Sequence, residues 1–349
     1  MSIIQHLLVD EYGAHIGKHS ERLLVTQKGD VLTQAPLIHL ETVTIANQGG
    51  SISAEAIREC TERGIPIHFV SGTGTPYASL YSAGLTGTIA TRRAQIIAYQ
   101  NPSALHFVIC LSIGKLQNQI NLLKYIGKYR KETNPALYEQ IHHCANEITD
   151  HLIEIEQIRA YPEVLDGSAT LDDLRMEIMG HEGQAAQRYW QAVRLILPET
   201  FVFPGRTGRG ATDPINSALN YGYGILYGQV ERCLTLAGLD PYAGFLHTDR
   251  PGKPSLTLDF IEEYRQPVVD RTVISMANKG AHFEQDERKM LTKETRRTLA
   301  EKVFERLDAP TPYEDKRTSL RLIMQNQARH LATYLRGERG EYRPFVMAW

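Results

Sequence analysis

Ser82-Ala-Gly-Leu-Thr-Gly-Thr88 is where the pattern of this chain changes. The stretch is short, small and glycine-rich, the composition of a linker between domains. On its N-terminal side the residues read as strands at 6–9, 13–16, 22–26, 31–36, 42–45, 65–70 and 77–80, rich in β-branched and aliphatic side chains and separated by Gly, Asp or Asn. One helix interrupts them over 53–63, with Ser51 or Ser53 as its cap and Gly64 as its stop. On the other side nearly everything has helical period: 89–99, 103–131, 135–158, 169–196, 214–237, 259–278, 293–307 and 315–336. Asp213-Pro214 marks one start, since Asp accepts orphan N–H groups and Pro fits the first turn. The expected fold class is α+β: a small β-sheet domain over 1–82, a linker over 83–88, and a larger all-α domain over 89–349.

The composition excludes several classes. With 349 residues, 42% hydrophobic and 22% charged, the chain has the make-up of an ordinary globular protein, with no repeat and no low-complexity tract. The N-terminus has no basic region and too short an apolar run for a signal peptide. Nothing approaches the ~20 apolar residues that span a bilayer, so no membrane partner is expected. Cys60, Cys110, Cys144 and Cys233 lie far apart without a CxxC pair, which fits reduced thiols and a cytoplasmic location. At a net charge of -2, binding to nucleic acid requires a local basic face.

The chemistry concentrates in the helical part. In Leu171-Asp-Asp-Leu-Arg-Met-Glu-Ile-Met-Gly-His-Glu-Gly-Gln-Ala-Ala-Gln-Arg-Tyr-Trp190 one apolar stripe runs through Leu171, Leu174, Ile178, Ala185 and Tyr189. Glu182 falls in the middle of it. A carboxylate there has to be paired, protonated or metal-bound. Gly180 and Gly183 flank it and imply close approach by another group, since each costs about 1 kcal/mol in a helix. Further on, His247 sits in the turn-rich Gly244-Phe-Leu-His-Thr-Asp-Arg-Pro-Gly-Lys253, followed by Asp259 and Glu262 at i and i+3 near a helix start. Two carboxylates and an imidazole make an open site for Mg²⁺ or Mn²⁺. Each residue also has a plainer role. Asp259 and Glu262 suit a helix N-terminus, His247 suits a hydrogen-bonded loop, and Glu182 suits an ion pair with Arg265 or Arg271.

Other segments carry less. His142-His143-Cys144 reads as solvated helix surface, and Gly180-His-Glu-Gly lacks the second histidine of a zinc-protease helix. Gly205-Arg-Thr-Gly-Arg-Gly-Ala211 has no Walker lysine, but its Arg206 and Arg209 suit phosphate contacts on a loop. Between Lys115 and Lys131 a basic and aromatic helix face admits nucleic acid or solvent equally.

Several ordered blocks give these residues a context. They are Lys115-Leu-Gln-Asn-Gln119; Gly180-His-Glu-Gly-Gln-Ala-Ala186 with Tyr189; Arg209 through Asp213-Pro-Ile-Asn-Ser-Ala-Leu-Asn-Tyr-Gly-Tyr223; Gly244-Phe-Leu-His247; Ser255-Leu-Thr-Leu-Asp-Phe-Ile-Glu262 with Arg265, Pro267, Asp270 and Arg271; and Tyr342-Arg-Pro-Phe345 to Trp349. Over nearly its whole length the chain resembles the CRISPR-associated integrase and endonuclease family, the larger, catalytic protein of the spacer-adaptation complex. The resemblance implies a β-sheet domain used for dimerisation and a helical catalytic domain. It implies Glu182, His247 and Glu262 as metal ligands for Mg²⁺ or Mn²⁺, with Asp259 as an additional catalytic acid that shapes the site. It implies that a 3′-hydroxyl of short captured duplex DNA, with single-stranded or splayed ends, attacks a phosphodiester where CRISPR leader and repeat meet. The implied assembly is a homodimer, with a small ferredoxin-like adaptation partner bridging two dimers. For DNA contacts the reading selects Arg93, Lys115, Arg206 and Arg209 on phosphates, Tyr189 and Tyr221 stacked on bases, and Lys253 as a further DNA-binding residue. No general base is evident. The rival readings are a nuclease of branched DNA in repair that needs no partner, a DNA-bridging scaffold without activity, and a metallohydrolase of small molecules.

Overall fold

The computed structural model describes residues 4–71, 74–81, 88–208 and 210–349. Eight strands precede the linker: β1 (His6–Val9), β2 (His15–His19), β3 (Arg22–Gln27), β4 (Asp30–Pro36), β5 (Thr42–Ile45), β6 (Ser51–Ile52), β7 (Ile67–Val70) and β8 (Pro76–Leu80). They form two four-stranded sheets, ordered β1-β5-β7-β8 and β4-β3-β2-β6. All four residues of β5 are buried, because it lies between the parallel strands β1 and β7. Helix α1 (Ala54–Glu62) starts where Ser53 accepts the Ala56 N–H at 3.1 Å, and it stops at Gly64, whose φ is +70°. The two-residue β6 was not foreseen; it is too short to show alternation.

The helical part contains α2 (Thr88–Ala98), α3 (Pro102–Lys128), α4 (Pro135–Gln157), α5 (Pro162–Leu165), α6 (Leu171–Ile196), α7 (Pro214–Leu236), α8 (Ser255–Phe260), α9 (Arg271–Asn278), α10 (Lys293–Asp308) and α11 (Leu320–Leu335). Asp213 caps α7 by accepting the Asn216 N–H at 2.8 Å, as its sequence implies. Helix α3 is buried for most of its length and packs on both α4 and α6. Two expectations need correction. The single helix expected over 259–278 begins at Ser255 and is broken by a 3₁₀ turn, Ile261–Glu263, and a π-helical turn, Arg265–Asp270. Pro267 sits in that π turn and has no N–H for the regular ladder. The second part is also not purely helical, since strands β9 (Pro310–Tyr313) and β10 (Lys316–Ser319) form a hairpin ahead of α11.

Two hydrophobic cores result, one within the sheets and one among the helices. A polar knot ties them together. Arg321 of α11 lies 3.0 Å from Asp308 and 3.1 Å from Glu41, and His6 of β1 lies 3.0 Å from Asp308. Glycine permits the closest approach. A Cβ built on Gly224 would stand 1.6 Å from the Gly74 carbonyl oxygen, so α7 has no room for a side chain there. Gly222 faces Val269 and Gly228 faces His68, so the glycine face of α7 is filled by this protein itself. Gly224→Ala is expected to lower stability by about 3 kcal/mol or more through forced separation of the two parts. Denaturant unfolding would measure the loss, and an unchanged midpoint would contradict it. Residues 83–87 of the expected linker lie outside the described residues; Thr88 already belongs to α2. All four cysteines are buried and unpaired, and no single helix among the described residues is long and apolar enough to cross a membrane.

Candidate metal centre and nucleic-acid cavity

Three segments carry the candidate acids and histidine, and the contacts shown link them as two pairs, Glu182 with Glu262 through Lys115 and His247 with Asp259. Glu182 is 7% exposed on α6, on the same buried face as Ile178, Ala185 and Tyr189. Its Oε2 accepts from Lys115 Nζ at 2.8 Å, while its Oε1 is buried with no hydrogen-bond partner. The same Nζ lies 3.1 Å from Glu262 Oε2, and Arg265 Nη2 lies 3.3 Å from Glu262 Oε1. One ammonium from α3 therefore joins a carboxylate of α6 to one in the 3₁₀ turn. Burial opposes ionisation of Glu262, but Arg265, Lys115 and His247 outweigh it and hold its carboxyl near 2. The partner of Glu182 is thus Lys115, in place of Arg265 or Arg271. Gly180 and Gly183 have open space where a Cβ would stand, with no atom of the described residues beyond their own helix backbone within 4 Å.

Asp259 and Glu262 do different work despite their i, i+3 spacing. Asp259 is fully buried and takes four hydrogen bonds from the loop before it. The N–H groups of Phe245, Leu246 and His247 donate to it at 2.6, 3.1 and 2.9 Å. His247 Nδ1 lies 2.7 Å from Asp259 Oδ1. With Nδ1–H donating to the carboxylate, Nε2 is left as the ligating nitrogen, the usual second-layer arrangement around a metal-binding histidine. The plainer helix-start role of Asp259 does not hold: it lies in the last turn of α8 and organises the His247 loop.

These residues suit a hard divalent cation. They offer two carboxylates that already share a cation, one carboxylate oxygen without a partner, and an imidazole whose tautomer is set. Lys115 fills the position between the acids that such an ion would contest. The ligand atoms of Glu182, His247 and Glu262 are more widely spaced than those of His6, Glu41 and Asp308, the one trio among the described residues that brings three such atoms within 4.8 Å of one another. There the Arg321 guanidinium supplies the positive charge, and the cluster reads as the knot between the two parts.

The chain has known relatives. The family model described as CRISPR associated protein Cas1 matches residues 7–305. The chain belongs to the Cas1 family. It is 34% identical over 354 residues to CRISPR-associated endonuclease Cas1 1 of Archaeoglobus fulgidus, covering 98% of this chain and 99% of that one. It is 33% identical to CRISPR-associated endonuclease Cas1 1 of Francisella tularensis subsp. novicida, covering 99% and 100%. Among solved structures, a casposase bound to integration product superposes with a TM-score of 0.79 at 22% identity, covering 97% and 93%. A Cas1 protein from Thermotoga maritima gives 0.75 at 18%, covering 98% and 100%. These two likenesses establish the fold. As a Cas1-family member the chain is an enzyme, a CRISPR-associated endonuclease.

The selected DNA contacts fare unevenly in this Cas1 fold. Tyr189 is fully buried and donates to Asp270 at 2.7 Å, so it has no face for a base, and that reading is corrected. Tyr221 is 3% exposed and packed against Gly74, and it borders the cavity that Arg206 lines. Lys115 is engaged by the two glutamates and stands away from phosphate duty. Arg93 is exposed on α2, Lys253 is half-buried in the loop before α8, and Arg209 lies outside the described residues. Arg206 is placed well. Its guanidinium donates to Asn216 at 3.1 Å and Asn220 at 2.7 Å and lies over the Tyr223 ring at 5.2 Å. It lines a cavity of about 680 Å³ with Arg265, Arg288, Lys289, Tyr223 and Tyr227, and no acidic residue is among the described lining. Arg265 joins that cavity to Glu262. Sequence reading missed Arg288 and Lys289; their only signal was an adjacent basic pair in a turn-rich stretch.

Proposed function

We propose that this chain joins short captured DNA into a CRISPR array, with Glu182, His247 and Glu262 holding Mg²⁺ or Mn²⁺. The carrying observation is the convergence of Glu182 and Glu262 on one cation, beside an imidazole oriented by Asp259. Relatives named endonucleases and a fold neighbour captured with an integration product support the reading. In the proposed step the 3′-oxygen of the incoming strand bonds to a phosphorus at the leader–repeat boundary. The bond from that phosphorus to its own 3′-oxygen breaks, and the departing oxygen takes up a proton. One phosphodiester is exchanged for another, so no external energy source is needed. The bound ion supplies Lewis-acid stabilisation of charge on the phosphoryl oxygens. The chain's own residues prepare the site: Asp259 fixes the His247 ring, Lys115 and Arg265 hold Glu262 ionised, and Lys115 aims both carboxylates. Arg206, Arg265, Arg288 and Lys289 bind the phosphates of a strand lying in the cavity.

The proposed assembly is a cytoplasmic homodimer, with the part before residue 83 as dimerisation domain and the part after residue 88 as catalytic domain. A small ferredoxin-like partner would bridge two dimers. Structural neighbours that include a complex of Cas1 with Cas2 support such a partner. A strand-transfer assay tests the function, using purified protein and partner, a supercoiled plasmid bearing leader and repeat, labelled short duplex and Mg²⁺ or Mn²⁺. Label joined to plasmid is expected. Metal-dependent cutting of branched DNA without joining would favour the repair nuclease. Arg206→Ala and Arg288→Ala are each expected to weaken binding of splayed duplex. Each should also flatten the plot of log affinity against log salt by about one phosphate contact. Unchanged salt slopes in both would remove DNA from the cavity.

A further inference from the structure

The histidine that precedes Glu182 has a partner on another helix. His181 of α6 and His151 of α4 place their Nδ1 atoms 3.3 Å apart, with ring centroids separated by 5.5 Å. Two nitrogens bound to one tetrahedral zinc ion at the usual Zn–N length of about 2.05 Å stand roughly 3.3 Å apart. The spacing is therefore that of a bidentate imidazole pair as well as that of a hydrogen bond. Both residues are half-buried where α4 packs on α6. Burial, with His181 and Arg188 against Asp150 and Glu147, lowers the pKa of His151. Glu147, one turn before His151 on α4, has its carboxylate 3.1 Å from Arg188 and 3.6 Å from His143. That carboxylate is engaged by the guanidinium, which leaves the two imidazoles as the donors. Imidazole pairs select borderline ions over Mg²⁺.

We propose that His151 and His181 form a second metal site, for Zn²⁺ or a similar transition ion, separate from the carboxylate-rich centre. A bound ion clasps α4 to the turn of α6 that carries Glu182 and so restrains that turn. The Gly180-His-Glu-Gly motif lacks a second histidine on its own helix, and α4 provides one across the interface.

The test uses full-length, metal-stripped His247→Ala protein, which removes the imidazole of the other centre. Titration with Co²⁺ and Zn²⁺ is expected to show one saturable equivalent by calorimetry, with a visible Co²⁺ absorption band. His151→Gln and His181→Gln in that background are expected to lose both signals while melting as their parent does without metal. X-ray absorption of the zinc-loaded parent is expected to count two imidazole ligands, a reading that does not depend on either variant folding. Absence of saturable binding overturns the proposal. So does binding that survives in both variants, which would point to the cluster of His6, Glu41 and Asp308. Because the parent already lacks His247, failure here leaves the integration reading untouched.

Discussion

His247→Ala is expected to abolish strand transfer while leaving the protein folded. The ring is only partly buried, and its one strong tie is the 2.7 Å bond to Asp259. Removing it deletes a proposed ligand outright. Loss of a group that merely orients a ligand costs about 10–100-fold in metal affinity or activity. Asp259→Asn should fall within that range, because asparagine keeps an acceptor but cannot fix the imidazole tautomer in the same way. His247→Ala should fall below it, by more than about 100-fold. The ordering is the test. A strand-transfer time course on both variants, at matched and saturating Mn²⁺, reads it directly. If Asp259→Asn is the more damaged of the two, the loop's backbone anchoring outweighs the imidazole, and the ligand set needs revision. If both retain full joining, neither residue belongs to the reaction.

Lys115→Met is expected to destabilise the metal-free protein by about 3 kcal/mol, the lower end for breaking a buried ion pair. Its ammonium is the shared partner of Glu182 and Glu262, and all three side chains are at most 14% exposed. Without it Glu182 keeps no direct ion pair among the described residues, while Glu262 retains Arg265, which is why the loss stays at that lower end. A divalent ion should raise the melting temperature of Lys115→Met more than that of the parent, since it would replace the missing charge between the two acids. Denaturant unfolding and thermal melting with and without Mn²⁺ measure both effects. Unchanged stability together with weaker DNA binding would instead return Lys115 to the phosphate contact that its place in a basic helix implies.

The anomalies of the site were legible before its geometry. Glu182 was conspicuous because a carboxylate interrupts an otherwise apolar stripe, and periodicity alone puts it on a buried face. Helix starts at Ser53 and Asp213 were legible because a cap is a local event, made by one side chain and an N–H three residues on. Less of the segment around Asp259 could be read. Its i, i+3 relation to Glu262 predicts a shared face on one regular helix, but Pro267 breaks the ladder and the 3₁₀ turn rotates Glu262 toward α3. Tyr189 misled in the other direction. An aromatic after a glutamate-bearing motif looked free to stack, yet its position on the same apolar stripe was the better guide, and the ring is fully buried.

By itself the sequence determined the change from strands to helices near residue 82, the buried place of Glu182, and the ordered blocks that mark a Cas1-family chain. Period, capping and motif order are properties of neighbouring residues, so they survive without coordinates. Only the tertiary structure decided which charges meet. Lys115 and Glu182 are 67 positions apart, and Lys115 also reaches Glu262. The His151–His181 pair and the cation-lined cavity likewise come from segments distant along the chain. Electrostatic pairing depends on distance through space, and folding sets that distance by packing helices whose buried faces are apolar and do not name their partners.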